Sequence, residues 1–144
     1  MLKLNQQIIS RLNGDALRTF PDECCGFILG HETGNEKTAI DLVIVDNAKE
    51  GDKRRRFEIS ASDYVQAEKF CDENGLVLLG IYHSHPNYPS VPSEHDRVAA
   101  QPFFSYLIIS VIENKIASYQ SWVLNEDFQF EQETISIDEP INIL

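Results

Sequence analysis

Seven successive positions from Leu76 to Tyr82 carry no charge, and they lie between the pair Asn74-Gly75 and Pro86. Asn-Gly is a helix stop and proline interrupts a strand, so this run is bounded at both ends. A strand with one solvent-facing side would alternate apolar and polar residues. Continuous apolarity instead predicts a central strand buried on both faces. The rest of the chain supplies the covering layers. Leu4, Ile8, Leu12 and Ala16, with Ile9 beside them, mark one face of a helix that Asn13-Gly14 weakens and Pro21 ends. Tyr64, Ala67, Phe70 and Cys71 mark a second helix capped by Ser60 or Ser62, and residues 93–101 can form a short third. Residues 24–30, 38–45, 106–112, 116–123 and 128–137 read as further strands. The expected fold class is α/β: a mixed β-sheet flanked by about three helices.

The chain has 144 residues, which suits one domain over residues 1–137 followed by an acidic C-terminal tail over 138–144. Its net charge is −11 and its pI about 4.6, so phosphate would be repelled over most of the surface. That argues against nucleic acid and against an anionic membrane as partners. The first residues, Met1 to Gln7, hold one charge and no continuous apolar core, so no secretory signal is expected. Cys24 and Cys25 are adjacent and Cys71 is distant, which gives no disulfide framework. Buried reduced thiols in a cytoplasmic protein are the expectation.

The stretch that carries chemistry follows the apolar run directly. It comprises His83-Ser84-His85-Pro86, then residues 87–92, then Ser93-Glu94-His95-Asp96, fourteen residues in all. In an extended chain, residues i and i+2 share a face, so the two imidazoles start roughly 6–7 Å apart and can converge on one ion. Asp96 falls in the first turn of the short helix, where the helix dipole favours a carboxylate. Two imidazoles and one carboxylate form a known catalytic zinc set that leaves a fourth position open. Plainer alternatives exist for each fragment alone: loop histidines, and a helix cap at Ser93. Their convergence at the end of a buried strand favours the metal.

These residues resemble the JAMM, or MPN-plus, family of zinc metallopeptidases (the JAB domain), in its small prokaryotic type. His83-Ser84-His85-Pro86 is followed by Ser93-Glu94-His95-Asp96 at the family's spacing, and Glu23-Cys24-Cys25-Gly26-Phe27-Ile28-Leu29-Gly30 is similar to the family's early glutamate strand. Arg55-Arg56-Phe57-Glu58-Ile59 resembles the approach to its second helix. The resemblance implies a JAB/MPN-like, cytidine-deaminase-like architecture with one Zn2+ per chain held by His83, His85 and Asp96. It implies that Glu23 shuttles a proton and that Ser93 donates a hydrogen bond to the oxyanion. Residues alone would leave Glu23 as an exposed loop carboxylate. The small size leaves little room for ubiquitin-gripping insertions. A ubiquitin-like sulfur carrier with a C-terminal Gly-Gly is therefore the implied partner, cut after that tail in a cleft formed by loop 86–93 and a strand edge.

Lys53-Arg54-Arg55-Arg56 is a basic run in an acidic chain. Arg54, Arg55 and Tyr88 are substrate-binding candidates, the arginines for a carboxylate or an acidic patch. His31 and His95 read as surface histidines, with His95 a candidate to orient Asp96. Three rival functions stand beside the peptidase. A non-catalytic scaffold of the same fold would lack some of the five site positions. A zinc deaminase would show His-x-Glu and Pro-Cys-x-x-Cys, which are absent. A cell-wall or phage-tail-associated peptidase is the third.

Overall fold

A computed structural model describes residues 1–138. Its elements run β1(Leu2–Asn5), α1(Gln6–Thr19), β2(Cys25–Thr33), β3(Glu36–Val45), α2(Ala61–Asn74), β4(Val77–Pro86), α3(Glu94–Ala99), β5(Ser105–Ile112), β6(Lys115–Leu124), β7(Phe130–Glu133) and β8(Ile135–Asp138). One eight-stranded sheet has the order β7-β6-β5-β4-β2-β3-β1-β8. The apolar run does form a central strand: β4 lies antiparallel to β2 on one side and parallel to β5 on the other. The sheet is therefore mixed and carries three helices, as the pattern predicts.

Each sheet face has its own core. Leu4, Ile8, Leu12, Ile28, Tyr82 and Ile109 pack together on the α1 face. Phe27, Leu29, Ala67, Cys71, Ile81 and Tyr106 pack together on the α2 face. Alternation along a strand assigns the faces: Tyr82 points to α1 and Ile81 to α2. His83 and His85 follow with the parity of Ile81, so both rings emerge on the α2 side. The Tyr82 hydroxyl donates to Asp15 Oδ2 at 2.8 Å, and Asp15 Oδ1 accepts from Arg18 at 2.7 Å. Asp15 is buried within α1, so this pair fixes the helix against β4 one residue before the first histidine. Gly26 leaves room for it. A Cβ there would lie 2.5 Å from the Tyr82 ring and 2.4 Å from the Val43 carbonyl oxygen.

Local signals set several boundaries. Gly75 takes the left-handed conformation at φ 66° and ends α2, while the Ser60 side chain caps its start. Three sequence expectations need correction. Leu4 belongs to β1, a short parallel strand, because Asn5 caps α1 and so places the helix start at Gln6. The expected strand 128–137 divides into β7 and β8, which pair at opposite edges of the sheet. Asp138, assigned to the tail, is the last residue of β8 and pairs with Asn5; residues 139–144 lie outside the described residues. No described helix is long and apolar enough to cross a membrane.

Candidate metal centre and catalytic site

Three donor atoms from two elements meet at the C-terminal end of β4. His83 Nε2 and His85 Nε2 are 3.2 Å apart. Asp96 Oδ2 lies 3.4 Å from the first and 3.1 Å from the second. A tetrahedral zinc ion with bonds near 2.0–2.1 Å has ligand-to-ligand edges of about 3.3 Å. The triangle matches that edge, so the residues present fit the ion that the donor set suggests.

The side chains are held by contacts within the protein. His85 Nδ1 lies 2.7 Å from the Pro89 carbonyl oxygen, which can only accept. The proton therefore sits on Nδ1, and Nε2 turns a lone pair toward the centre. The His83 ring stacks on Phe57 at 4.4 Å and the His85 ring on Tyr88 at 4.1 Å. The imidazole pair is thus bracketed by two aromatic rings. Burial lowers the His83 pKa, against the pull of Asp96, and so favours the neutral, ligating form. Burial works against the Asp96 charge, but His83, His85 and the Ser93 N–H outweigh it and hold this carboxyl well below its usual range.

Ser93 and Asp96 form a reciprocal cap at the start of α3. The Asp96 N–H donates to Ser93 Oγ at 3.0 Å, and the Ser93 N–H donates to Asp96 Oδ2 at 2.9 Å. The helix cap is therefore formed, and the Asp96 oxygen that completes it is the one that faces the two imidazoles. The cap uses Ser93 Oγ as an acceptor and leaves its O–H proton available to donate.

Glu23 is buried, with 1% of its surface exposed, rather than an exposed loop carboxylate. Neither of its carboxylate oxygens has a hydrogen-bond partner. With the two histidines it forms a second group whose potential ligand atoms all lie within 4.8 Å of one another. Asp96 completes the tighter triangle, whereas Glu23 stands unpartnered beside it. Burial first, and the Asp96 charge second, push its pKa up to about 9, while Arg56 acts in the opposite direction. The Tyr88 phenol faces Glu23 without meeting hydrogen-bond geometry, and burial raises its own pKa.

The Glu23 backbone is tied to the basic loop. Its N–H donates to the Lys53 carbonyl at 2.7 Å, and its carbonyl accepts from Asn47 Nδ2 at 3.2 Å. Asn47 Nδ2 also donates to the Arg56 carbonyl, and Asn47 Oδ1 accepts from the N–H groups of Lys49 and Glu58. Every hydrogen-bonding site of this amide is in use.

Two cavities lie at the site: the first reaches His83 and Asp96, and the second adjoins them only through Tyr88 and Ser93. One of about 500 Å3 is lined by Phe57, Ile59, Tyr64, Ile81, His83 and Asp96, among others. The second, about 590 Å3, is lined by Arg54, Arg55, Arg56, Asn87, Tyr88 and Ser93, among others. The first is bounded by the loop before α2, by α2, β4, α3 and β5, and the second chiefly by loops. The expected free strand edge is not supplied by β2 or β4, which are paired on both sides.

The remaining candidates stand apart. His95 lines the first cavity but makes no hydrogen bond to Asp96, whose described partners are Ser93 and the two imidazoles. His31 is exposed on β2. All three cysteines are free and buried, and burial pushes the Cys25 thiol up to about 12 and Cys24 further. Sequence reasoning missed Phe57 and Asn47 as site residues. The basic-aromatic segment 55–59 was the available signal for Phe57, and no local signal marked Asn47.

Residues 5–125 match the family described as prokaryotic homologs of the JAB domain. A desampylase of Haloferax volcanii is 31% identical over 104 residues, 72% of this chain and 73% of its own length. A solution structure of a protein from Desulfitobacterium hafniense is 28% identical with a TM-score of 0.86, covering 97% of this chain and 94% of that one. A JAB1/MPN domain protein from Archaeoglobus fulgidus, 16% identical with a TM-score of 0.61 over 96% and 98% of the two chains, shares the fold. With the β4 histidines, the α3 aspartate and the match over residues 5–125 in agreement, this chain belongs to the prokaryotic JAB-domain family.

Proposed function

We propose that this chain is a zinc-dependent metallopeptidase or isopeptidase. It hydrolyses the amide bond that follows the C-terminal Gly-Gly tail of a ubiquitin-like sulfur carrier. The observation that carries this reading is the donor triangle of His83, His85 and Asp96, with edges of 3.1–3.4 Å, beside the unpartnered Glu23 carboxylate. The desampylase relative supports the substrate class.

His83, His85 and Asp96 would hold one zinc ion per chain. Bound there, zinc supplies Lewis acidity, which makes water nucleophilic at neutral pH. The other roles fall to the protein. A nearby cation favours the ionised form of Glu23, which otherwise titrates near 9. Ionised Glu23 accepts one proton from the attacking water. The water oxygen bonds to the acyl carbon, and the Ser93 O–H donates to the developing oxyanion. The C–N bond breaks as Glu23 returns the proton to the leaving amine. Cytoplasmic residence accords with the free thiols and completes the reading.

The test combines metal analysis with cleavage of carrier proteins bearing C-terminal extensions. The expected result is about one zinc per chain and a Glu23→Gln variant that keeps the metal but loses cleavage. Full activity in that variant removes Glu23 from the mechanism. A metal-free wild type that cleaves equally well overturns the proposal.

A further inference from the structure

The sequence contains six arginines. Three meet carboxylates: Arg11 with Asp41, Arg18 with Asp15, and Arg97 with Glu94. The other three, Arg54, Arg55 and Arg56, make no side-chain ion pair or hydrogen bond to any described residue. Asp52, two residues away, accepts from the Arg54 backbone N–H instead. All three of these exposed arginines are among the residues lining one cavity, together with Tyr88 and Ser93. A chain of net charge −11 thus concentrates unneutralised positive charge beside its reactive centre.

That placement is built rather than incidental. The Lys53 and Arg56 carbonyls are hydrogen-bonded to the Glu23 N–H and to Asn47, which also holds the Glu23 carbonyl. The arginine segment and Glu23 therefore form one backbone unit. Arg56 lies close enough to act on the Glu23 charge.

Reaction balance says which part of a substrate belongs there. Glu23 delivers its proton to the leaving nitrogen, so the leaving group lies on the Glu23 side. When the leaving group is a C-terminal amino acid, its α-carboxylate is two bonds from that nitrogen. When it is a lysine side chain, no carboxylate is so placed. The geometry points to the Arg54–Arg56 cavity as the subsite for the leaving residue, with the guanidinium groups receiving its free α-carboxylate. This inference rests on the hydrolase reading and deepens it: the enzyme prefers to release a C-terminal residue over cutting a lysine isopeptide bond. An extended acidic protein face fits less well, because the 23 acidic residues of this chain would repel it, whereas a single carboxylate needs only this notch.

The test uses zinc-loaded protein and two peptides ending in Gly-Gly-Ala, one with a free carboxylate and one with a carboxamide. The wild type is expected to favour the free acid in kcat/KM by at least about tenfold, the scale of a charged hydrogen bond. In Arg54→Gln/Arg55→Gln/Arg56→Gln the acid-to-amide ratio should fall toward one. The ratio is internal to each protein, so a general loss of activity does not imitate the effect, and Arg55→Gln alone gives the same reading if the triple variant fails to fold. Equal cleavage of both peptides by the wild type overturns the inference and leaves the hydrolase reading intact. A preference that survives in the variants overturns it also. Charge loss that impairs only an intact acidic carrier, with both peptides cut equally, assigns the arginines to a protein surface instead. Cleavage of neither peptide nor any extended carrier defeats the hydrolase reading and this inference together.

Discussion

Ser84 Oγ accepts a hydrogen bond from the Cys24 N–H at 2.8 Å, and the Ser84 N–H donates to the Cys24 carbonyl at 3.2 Å. The residue between the two histidines therefore clamps the residue next to Glu23. Parity sends Ser84 to the opposite sheet face from the imidazoles, so it touches neither of them. Ser84→Ala should strand a buried N–H at a cost of about 1–3 kcal/mol. We expect zinc content to stay near that of the wild type while kcat falls about tenfold and KM holds, with Ser84→Thr restoring activity. Metal analysis and steady-state kinetics check this. Loss of zinc in Ser84→Ala would show that the clamp serves the ligands rather than Glu23.

Ser93 caps α3 and, in the proposed mechanism, also donates to the oxyanion, and two substitutions separate these roles. Ser93→Ala removes both. Loss of a cap costs about 1 kcal/mol, and loss of an oxyanion donor about 10²–10³ in kcat. Ser93→Asp retains an acceptor for the Asp96 N–H but has no proton to donate when ionised. Thermal unfolding should therefore show Ser93→Asp recovering the melting temperature that Ser93→Ala loses, while both stay inactive.

The Phe57 ring lies 4.4 Å from His83 at an interplanar angle of 23°. Aromatic contacts of this kind contribute about 0.5–1.5 kcal/mol beyond burial. Phe57→Ala should free the His83 ring to turn and weaken zinc binding by about tenfold, as read by competition with a chelator. Phe57→Tyr should bind zinc as the wild type does.

The cysteines set an alkaline limit to stability. Burial raises all three thiols, Cys25 to about 12. An acid with a raised folded-state pKa holds its proton more tightly when folded, so the folded chain binds more protons than the unfolded chain above the ordinary thiol value. Stability is therefore fully present below about pH 9 and declines as pH rises toward 12. Urea midpoints between pH 8 and 11 should fall, and fall less in Cys25→Ala. Native protein at pH 8 should resist alkylation at all three thiols, which urea exposes.

What could be read without coordinates is whatever depends on neighbours in the chain. Two-residue alternation puts His83 and His85 on one face of any strand that contains them. Three-residue spacing lets Ser93 and Asp96 cap each other, and Asn74-Gly75 ends α2 because glycine accepts a positive φ. These patterns give the α/β class and place the candidate residues in pairs because their geometry is local. The division of residues 128–137 was not local. Phe130 and Ile135 are five positions apart, yet they join opposite edges of the sheet, since each edge had one unpaired strand to extend.

The environment of the site belongs to the tertiary structure for the same reason. Glu23 is buried and deprived of partners because β2 pairs with β4, sixty residues onward, and because Asn47 draws the basic loop over it. Phe57 meets His83, and three unpaired arginines share a cavity with Ser93, only after the loop between β3 and α2 is folded against the end of β4. Burial and electrostatic field are properties of everything packed around a group, and no period along the chain encodes them.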